Sequence, residues 1–562
     1  SKLLSVSDGG AVIRGADPGP AAEWAAVRSG DAFALRSTSS QRWLAIEAGT
    51  GVIDTTTAQD RRRLLRFIAA RGCLPYPEAP VGANGRPSRR LNRDGTVFGY
   101  ADPHLHITAD MRAGGLVTYG KTFDRFGITE ALGHDAEVHG PNGNLDFTGN
   151  LLRSGKPTGS HDTGGWPTFS GWPVHDTYTH QQTYYTWLQR AWMAGLRVVT
   201  AQLVEDQPLC EIEPQHSHSC DETATIALEL ERLRGLQDYV DAQSGGPGQG
   251  WLRLVSDPAQ ARRAIGRGQL AVLVGVEASN PFGCSEYLNQ PQCDRSAVDR
   301  GIELYRRLGI RSMFIAHWVD NAFGGAALEG GAQGTFIGAM QVHQTGLPFD
   351  TAPCPEPGQG DKCNSKGLSE LGMYLVGRLM DAHMLIEVDH LSERARLTVL
   401  RLAEARHYPL LSSHTNTGGF WTPSDLQRLY ALGGFATARP DTAENLAKSI
   451  VGFRPYIRPG QWLGVGLGTD TGGFNSSPGP DPGAATKPFR YPFRSQDGGV
   501  QFVCQVAGSR RYQLDQDGVA DYGLYADLLA YMRQQPGGQA ASTLLFRSAE
   551  GYLRTWEAAM RR

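Results

Sequence analysis

Apolar positions along this chain gather in short runs, separated by stretches in which they recur at helical spacing. Seven runs have the length and character of buried parallel strands: LRVVTAQLVE (196–205), LAVLVGVEA (270–278), RSMFIAHW (311–318), MLIEV (384–388), PLLSS (409–413), GGFATAR (433–439) and WLGVGLGTD (462–470). Val97–Ala101 adds an eighth at the front. Helices are predicted over Tyr184–Ala194, Thr223–Val240 and Glu393–Arg406, the last capped by Ser392, and Asp257 with Pro258 opens another. Eight strands, most separated by helices, is the count of an α/β fold of the (β/α)8 TIM-type barrel class. The structural alternative is an open doubly wound sheet, which would not easily gather all its strand ends around one point.

The flanks read differently. Residues 1–72 contain AFALRSTSSQRWLAIEAG, an alternating pattern broken by Ser and Gly, which predicts a small N-terminal β-rich domain. Residues 73–96 are rich in Pro, Gly and Arg and read as a linker, leaving 97–562 for the barrel. Residues 108–180 are glycine-rich and aromatic without a period, so a long loop over the site is expected. Most of its histidines, His134, His139, His161, His175 and His180, read as surface or structural. A second such insertion runs from Val319 to Lys366.

Candidate chemistry falls where a barrel would place it. His104 and His106 follow the first strand, separated by one residue so that both face the same volume. Glu277, His317, His390, His414 and Asp470 each stand at the end of a later strand. In a barrel these carboxyl ends share one face, where active sites form. Neutral imidazoles offer nitrogen lone pairs to a divalent metal, and a carboxylate there must be paired or bound, because burying it bare is prohibitive. Each residue alone is ordinary. Seven converging residues predict a metal site. Asp389 alternates away from His390 and is expected to support rather than ligate.

Composition narrows the class. Across 562 residues, 40% hydrophobic and 20% charged content is that of a soluble globular protein, and a net charge of −3 argues against a nucleic-acid partner. No window reaches the roughly 18 apolar residues of a membrane span. Six of eight cysteines form close pairs in polar loops, Cys210 with Cys220, Cys284 with Cys293 and Cys354 with Cys363, leaving Cys73 and Cys504 for a long-range pair. Loop staples predict a secreted protein, extracellular or periplasmic, and the opening Ser-Lys-Leu suits a mature form with its leader removed.

GQLAVLVGVEAS, LGIRSMFIAHWVDN, KGLSELGMYLVGRLMDAHMLIEVDHLS, PLLSSHT and WLGVGLGTD together resemble the membrane (renal) dipeptidase-like peptidases of the amidohydrolase superfamily. The closing helices LYADLLAYMRQQ and LLFRSAEGYLRTWEAA are similar to that family's ending. The resemblance implies two divalent metal ions, zinc first, bridged by Glu277, one held also by His104 and His106 and the other by His390 and His414. It further implies that His317 meets the scissile carbonyl and that Asp470 takes the proton of an attacking water made acidic between the cations. Ligand type leaves manganese, iron and nickel open.

Two departures stand out. The family's His-x-Asp is here His104-Leu105-His106, and the arginine that follows its last histidine ligand is missing from TNTGGFWTPSDLQRL. Without that carboxylate clamp, and with aromatic loops GGWPTFSGWP, YYTWLQRAW and HWVDNAFGG expected at the mouth, free dipeptides should be poorer substrates than bulkier capped amides. Arg454, Arg490 and Arg494 are the candidates to replace the clamp. The expected function is hydrolysis of a peptide-like C–N bond by a metal-bridged hydroxide, acting on a small-molecule or peptide-like substrate. A lactonase or phosphotriesterase-like hydrolase is the enzymatic alternative. FALRSTSSQRWLAI faintly resembles one repeat of a β-trefoil or fascin-like module, which leaves a non-catalytic glycan or cell-wall binding protein as the alternative of another class.

Overall fold

The structure is a computed structural model that describes residues 3–15, 20–68, 76–89, 91–356, 361–414, 421–457 and 464–561. It divides into two compact units, Ser1–Pro77 and Glu78–Arg562. The first is antiparallel throughout. Leu3–Val6 pairs with Val12–Gly15, and Trp24–Ser29, Ala32–Ser37, Trp43–Ile46 and Ile53–Thr56 form a four-stranded meander. The alternation seen in the sequence is realised there: Ala32 and Ala34 are buried while Phe33 and Leu35 are only half-covered.

The second unit is a parallel eight-stranded barrel. Its strands are β1 (Tyr100–Leu105), β2 (Leu196–Glu205), β3 (Leu270–Ala278), β4 (Ile310–Phe314), β5 (Leu385–Glu387), β6 (Leu411–Ser412), β7 (Phe435–Ala438) and β8 (Gly466–Leu467). Each pairs in parallel with the next, and Leu105 meets Thr471 in parallel to bring the two ends together. Every residue of β2 and β3 is buried, which is why these segments read as continuous apolar runs rather than alternating ones. Between strands, helices begin where their caps predict. Asp257 accepts from the Gln260 amide ahead of Pro258–Gly266, and Ser392 accepts from the Ala395 amide ahead of Glu393–Arg406.

Several boundaries differ from the sequence reading. β1 starts three residues later than Val97, at Tyr100, so His104 lies within the strand rather than after it. The cause is Asp102, buried in β1, whose carboxylate accepts the Thr469 and Tyr522 hydroxyls, each at 2.7 Å, and keeps the chain extended past Ala101. β4 stops at Phe314, which leaves His317 on the loop beyond it. Part of the expected linker, Ala83–Gly85, is a strand paired antiparallel with Val500–Phe502. The second insertion contains a helix, Gly331–Thr345, held by the buried Ile337 and Met340 in spite of three glycines in its sequence.

The disulfides Cys210–Cys220, Cys284–Cys293 and Cys354–Cys363 are formed as expected, while Cys73 lies outside the described residues. Among the described residues no helix is long and apolar enough to cross a membrane.

One buried acid gives the fold a pH signature. Asp521 accepts from the Gly523 amide and the Gln505 side chain, and burial pushes its carboxyl up to about 7. A raised folded pKa means the native state holds the proton more tightly than the unfolded chain. That stability is complete below the unfolded value and is lost as pH rises through about 7. Thermal unfolding of the metal-stripped protein should therefore show stability falling between about pH 4 and 7, with Asp521 contributing at most about 1.4 kcal/mol per pH unit. Asp521→Asn should make that fall shallower; parallel pH profiles for the two proteins would exclude Asp521 as a source.

Candidate metal centre

All seven residues that the sequence placed at strand ends meet at the carboxyl face of the barrel. Glu277, near the end of β3, lies at the centre and is 1% exposed. Its two oxygens face different histidine pairs. Oε2 is 3.5 Å from His104 Nε2 and 3.3 Å from His106 Nε2. Oε1 is 3.4 Å from His390 Nε2 and 4.0 Å from His414 Nε2, with His317 Nε2 at 3.7 Å. Within each pair the ring nitrogens face one another, at 3.1 Å for His104 and His106 and 2.7 Å for His390 and His414. Asp470 Oδ1 completes the first half, 3.4 Å from His104 Nε2 and 3.3 Å from His106 Nε2.

The local chain geometry is unusual where it serves this cluster. His390 and Asp470 sit in the left-handed region with φ of 60° and 50°, which costs about 1–3 kcal/mol for residues of their type. Gly473 is required beside them: a Cβ there would lie 1.8 Å from Asp470 Oδ1.

The partners behind the ring nitrogens decide what each imidazole presents. His106 Nδ1 is 3.0 Å from the Gln202 carbonyl oxygen. A carbonyl only accepts, so Nδ1 carries the proton and a neutral His106 turns a bare Nε2 inward. His317 Nδ1 donates in the same way to Asp206 Oδ1 at 2.7 Å. Asp206 is fixed in turn by Arg112 and Ser279, each at 2.5 Å. Asp389 accepts the His414 amide at 2.8 Å and the Ser412 hydroxyl at 2.6 Å, and its Oδ2 lies 3.4 Å from His414 Nδ1. It thus stands behind His414, outside the cluster.

Charge follows this arrangement. Burial works to raise Glu277, but His317 and His104 hold its carboxyl well below the usual range. Burial likewise opposes ionisation of Asp470, and His104 and His106 overcome it. His390 is driven down by burial, with His317 and His414 adding to the effect, so it favours the neutral form that a metal requires.

These residues fit metal binding. Glu277 Oε1 is buried without a hydrogen-bond partner, and facing imidazole nitrogens cannot all be donors to one another. One half of the cluster offers His104, His106, Asp470 and Glu277 Oε2; the other offers His390, His414, His317 and Glu277 Oε1.

A cleft of about 90 Å³ opens over the cluster, lined by His317, Trp318, Glu329, Arg439, Asp470 and Asn475 among others. No family model and no curated protein matches the chain. Solved structures similar to it include an amidohydrolase from Pseudomonas aeruginosa, 13% identical over 66% of this chain and 92% of its own, with a TM-score of 0.39. A metallopeptidase from Rhodobacter sphaeroides, liganded with a phosphinate mimic of the dipeptide L-Ala-D-Ala, is 15% identical over 66% and 89%, with a TM-score of 0.39. The probable dipeptidase PvdM from Pseudomonas aeruginosa is 13% identical over 83% and 96%, with a TM-score of 0.36.

Three residues of this site escape the sequence reading. Asp206 follows β2 and Arg439 follows β7, and both obey the strand-end rule that singles out Glu277. Glu329 comes from the second insertion, and burial pushes its carboxyl up to about 7, with His317 and Arg439 opposing. The aromatic loops expected at the mouth are mostly elsewhere. Phe169, Trp172, Tyr184 and Trp187 are buried among one another, and of these segments only HWVDNAFGG reaches the cleft, through His317 and Trp318. Arg454, Arg490 and Arg494 do not line it; Arg439 does.

Proposed function

We propose that this chain is an exported hydrolase of peptide-like C–N bonds that works with two divalent metal ions, zinc being the first choice. The observation that carries the reading is Glu277, whose two oxygens face two separate histidine pairs with Asp470 alongside. That is the donor arrangement a bridged metal pair needs, since one carboxylate can span ions about 3.5–4 Å apart. Such ions, when bound, would make a water between them acidic enough to act near neutral pH. His104, His106 and Glu277 would hold one ion, and His390, His414 and Glu277 the other. Asp470, whose side chain is 14% exposed and lines the cleft, would accept a proton and return it to the leaving nitrogen. His317, locked by Asp206, presents Nε2 to the substrate carbonyl. Three disulfides suit an oxidising compartment.

Arg439 revises the expected substrate preference. Its guanidinium donates to Asn475 Oδ1 at 2.7 Å at the rim of a small cleft, where a substrate carboxylate would need a cation. Free dipeptides should therefore outperform their carboxyl-amidated forms by about ten- to a hundredfold, the value of one charge-assisted contact. Arg439→Ala should abolish that preference. The assay is a panel of matched free and amidated dipeptides, with lactones alongside, on protein loaded with metal and on protein treated with chelator. Lactone turnover without amide turnover would replace this reading with the esterase-type alternative, and full activity in chelator would end it.

A further inference from the structure

Residues 113–183 carry a second cluster of potential ligands, which the hydrolase reading does not use. Asp135, His139, His161 and His180 come together with their ligand atoms within 4.8 Å of one another. One oxygen, Asp135 Oδ2, receives all three rings: His139 Nδ1 at 3.1 Å, His161 Nε2 at 2.7 Å and His180 Nε2 at 2.6 Å. The rings radiate from that point, every pair nearly perpendicular at 86° to 89°. Asp135, His139 and His180 are at most 2% exposed.

Hydrogen bonding within the protein leaves this cluster unsatisfied. His139 Nε2 is 3.1 Å from the Val117 carbonyl oxygen, so it must donate, and a neutral His139 then turns a bare Nδ1 toward a carboxylate. His180 Nδ1 lies between the Thr177 hydroxyl at 3.0 Å and the Thr177 carbonyl at 3.3 Å, and the same problem recurs when it donates to the carbonyl. Two lone pairs aimed at an anion repel unless a cation lies between them. Asp135 Oδ1, the carboxylate's other oxygen, is buried with no hydrogen-bond partner. Behind His161, Asp146 Oδ2 lies 3.5 Å from Nδ1. His139 and His180 thus have a carbonyl oxygen near the outer nitrogen, the usual support of a metal-bound histidine, while His161 Nδ1 is shared between Asp146 and the donating Arg153 guanidinium at 3.4 Å.

We propose that Asp135, His139, His161 and His180 form a further divalent-metal site, a tetrahedral three-histidine, one-carboxylate set of the kind zinc takes. With bonds of about 2.0–2.1 Å, ligand atoms of a tetrahedral site stand roughly 3.3 Å apart; here the three contacts to Asp135 Oδ2 are shorter, at 2.6–3.1 Å, and all four ligand atoms lie within 4.8 Å of one another. Its role is structural. The four ligands span 46 residues from Asp135 to His180 that contain only two short helices, Ala136–His139 and Phe147–Ser154. No cleft-lining residue belongs to the set. An ion there ties together a segment whose regular hydrogen bonding is too sparse to hold it.

The test uses the full chain, stripped of metal and reloaded with zinc ions alone. Elemental analysis should find one zinc fewer per chain in His161→Gln than in the wild type, with hydrolysis of the amide panel kept. His161 is the most exposed of the four, its side chain at 10%, so this substitution disturbs packing least. In the unmodified chain, returning zinc should slow hydrogen exchange in peptides covering 135–180, and in His161→Gln it should not. Equal zinc content in the two proteins, or exchange in 135–180 that ignores zinc, would overturn the site and leave a proton-bridged cluster. Because the readouts are stoichiometry and local exchange, failure of the hydrolase reading would leave this result standing.

Discussion

Asp470→Asn should lower turnover by at least about 10²-fold while leaving metal content intact. Asparagine keeps the shape of the side chain and its fit beside Gly473, but it cannot take a proton. The carboxylate it replaces is well placed for proton transfer, because it faces the cleft and because His104 and His106 keep it ionised against the pull of burial. It also lies 3.3–3.4 Å from both of those ring nitrogens, close enough to act as a ligand instead. The variant separates the two roles. Lost turnover with retained ions makes Asp470 the proton acceptor. Lost turnover together with lost ions makes it a ligand, and unchanged turnover shifts the proton to another group, for which Glu329 is a candidate in the cleft.

How far the sequence reveals this site depends on what each residue's position obeys. A barrel's parallel strands are buried on both faces, so apolar runs mark them, and whatever polar residue ends a run lands on the active face. That rule finds His104, His106, Glu277, His317, His390, His414 and Asp470, and it applies equally to Asp206 and Arg439. Asp206 is hidden by its place next to Glu205 in a loop leading to a cysteine, and Arg439 by its place inside the run GGFATAR and because arginine is not a typical metal ligand. Glu329 and the Asp135 cluster obey no such rule. His139, His161 and His180 lie on chain with no shared period, and only the tertiary course of 113–183 brings them together. The aromatic mouth fails for a related reason. GGWPTFSGWP reads as an aromatic loop over the mouth, yet Phe169 and Trp172 are 0% and 1% exposed, because a long segment without regular hydrogen bonding needs an apolar core of its own. The hidden helix Gly331–Thr345 shows tertiary burial of Ile337 and Met340 overriding poor helix propensity.

Glu277→Gln should do the most damage, because Glu277 touches both halves of the cluster. Its five histidine neighbours carry no negative charge, and among the described residues the His390–His414 pair has no carboxylate within 4 Å besides Glu277 and the supporting Asp389. Glutamine keeps one acceptor oxygen but replaces the other with a donor and removes the charge, so both cation positions weaken together. By contrast, His390→Ala should empty only the half formed with His414. Turnover in Glu277→Gln should fall at least about 10³-fold, a small part of the roughly eight to nine pKa units by which bound metal acidifies water. Elemental analysis should show the catalytic ions gone while the zinc assigned to Asp135, His139, His161 and His180 stays. Thermal unfolding and circular dichroism would confirm that the barrel is intact, since the substitution relieves a buried charge rather than creating one. A Glu277→Gln protein that keeps both catalytic ions and its turnover would mean that the two histidine pairs hold metal independently, and the bridged mechanism would have to be abandoned.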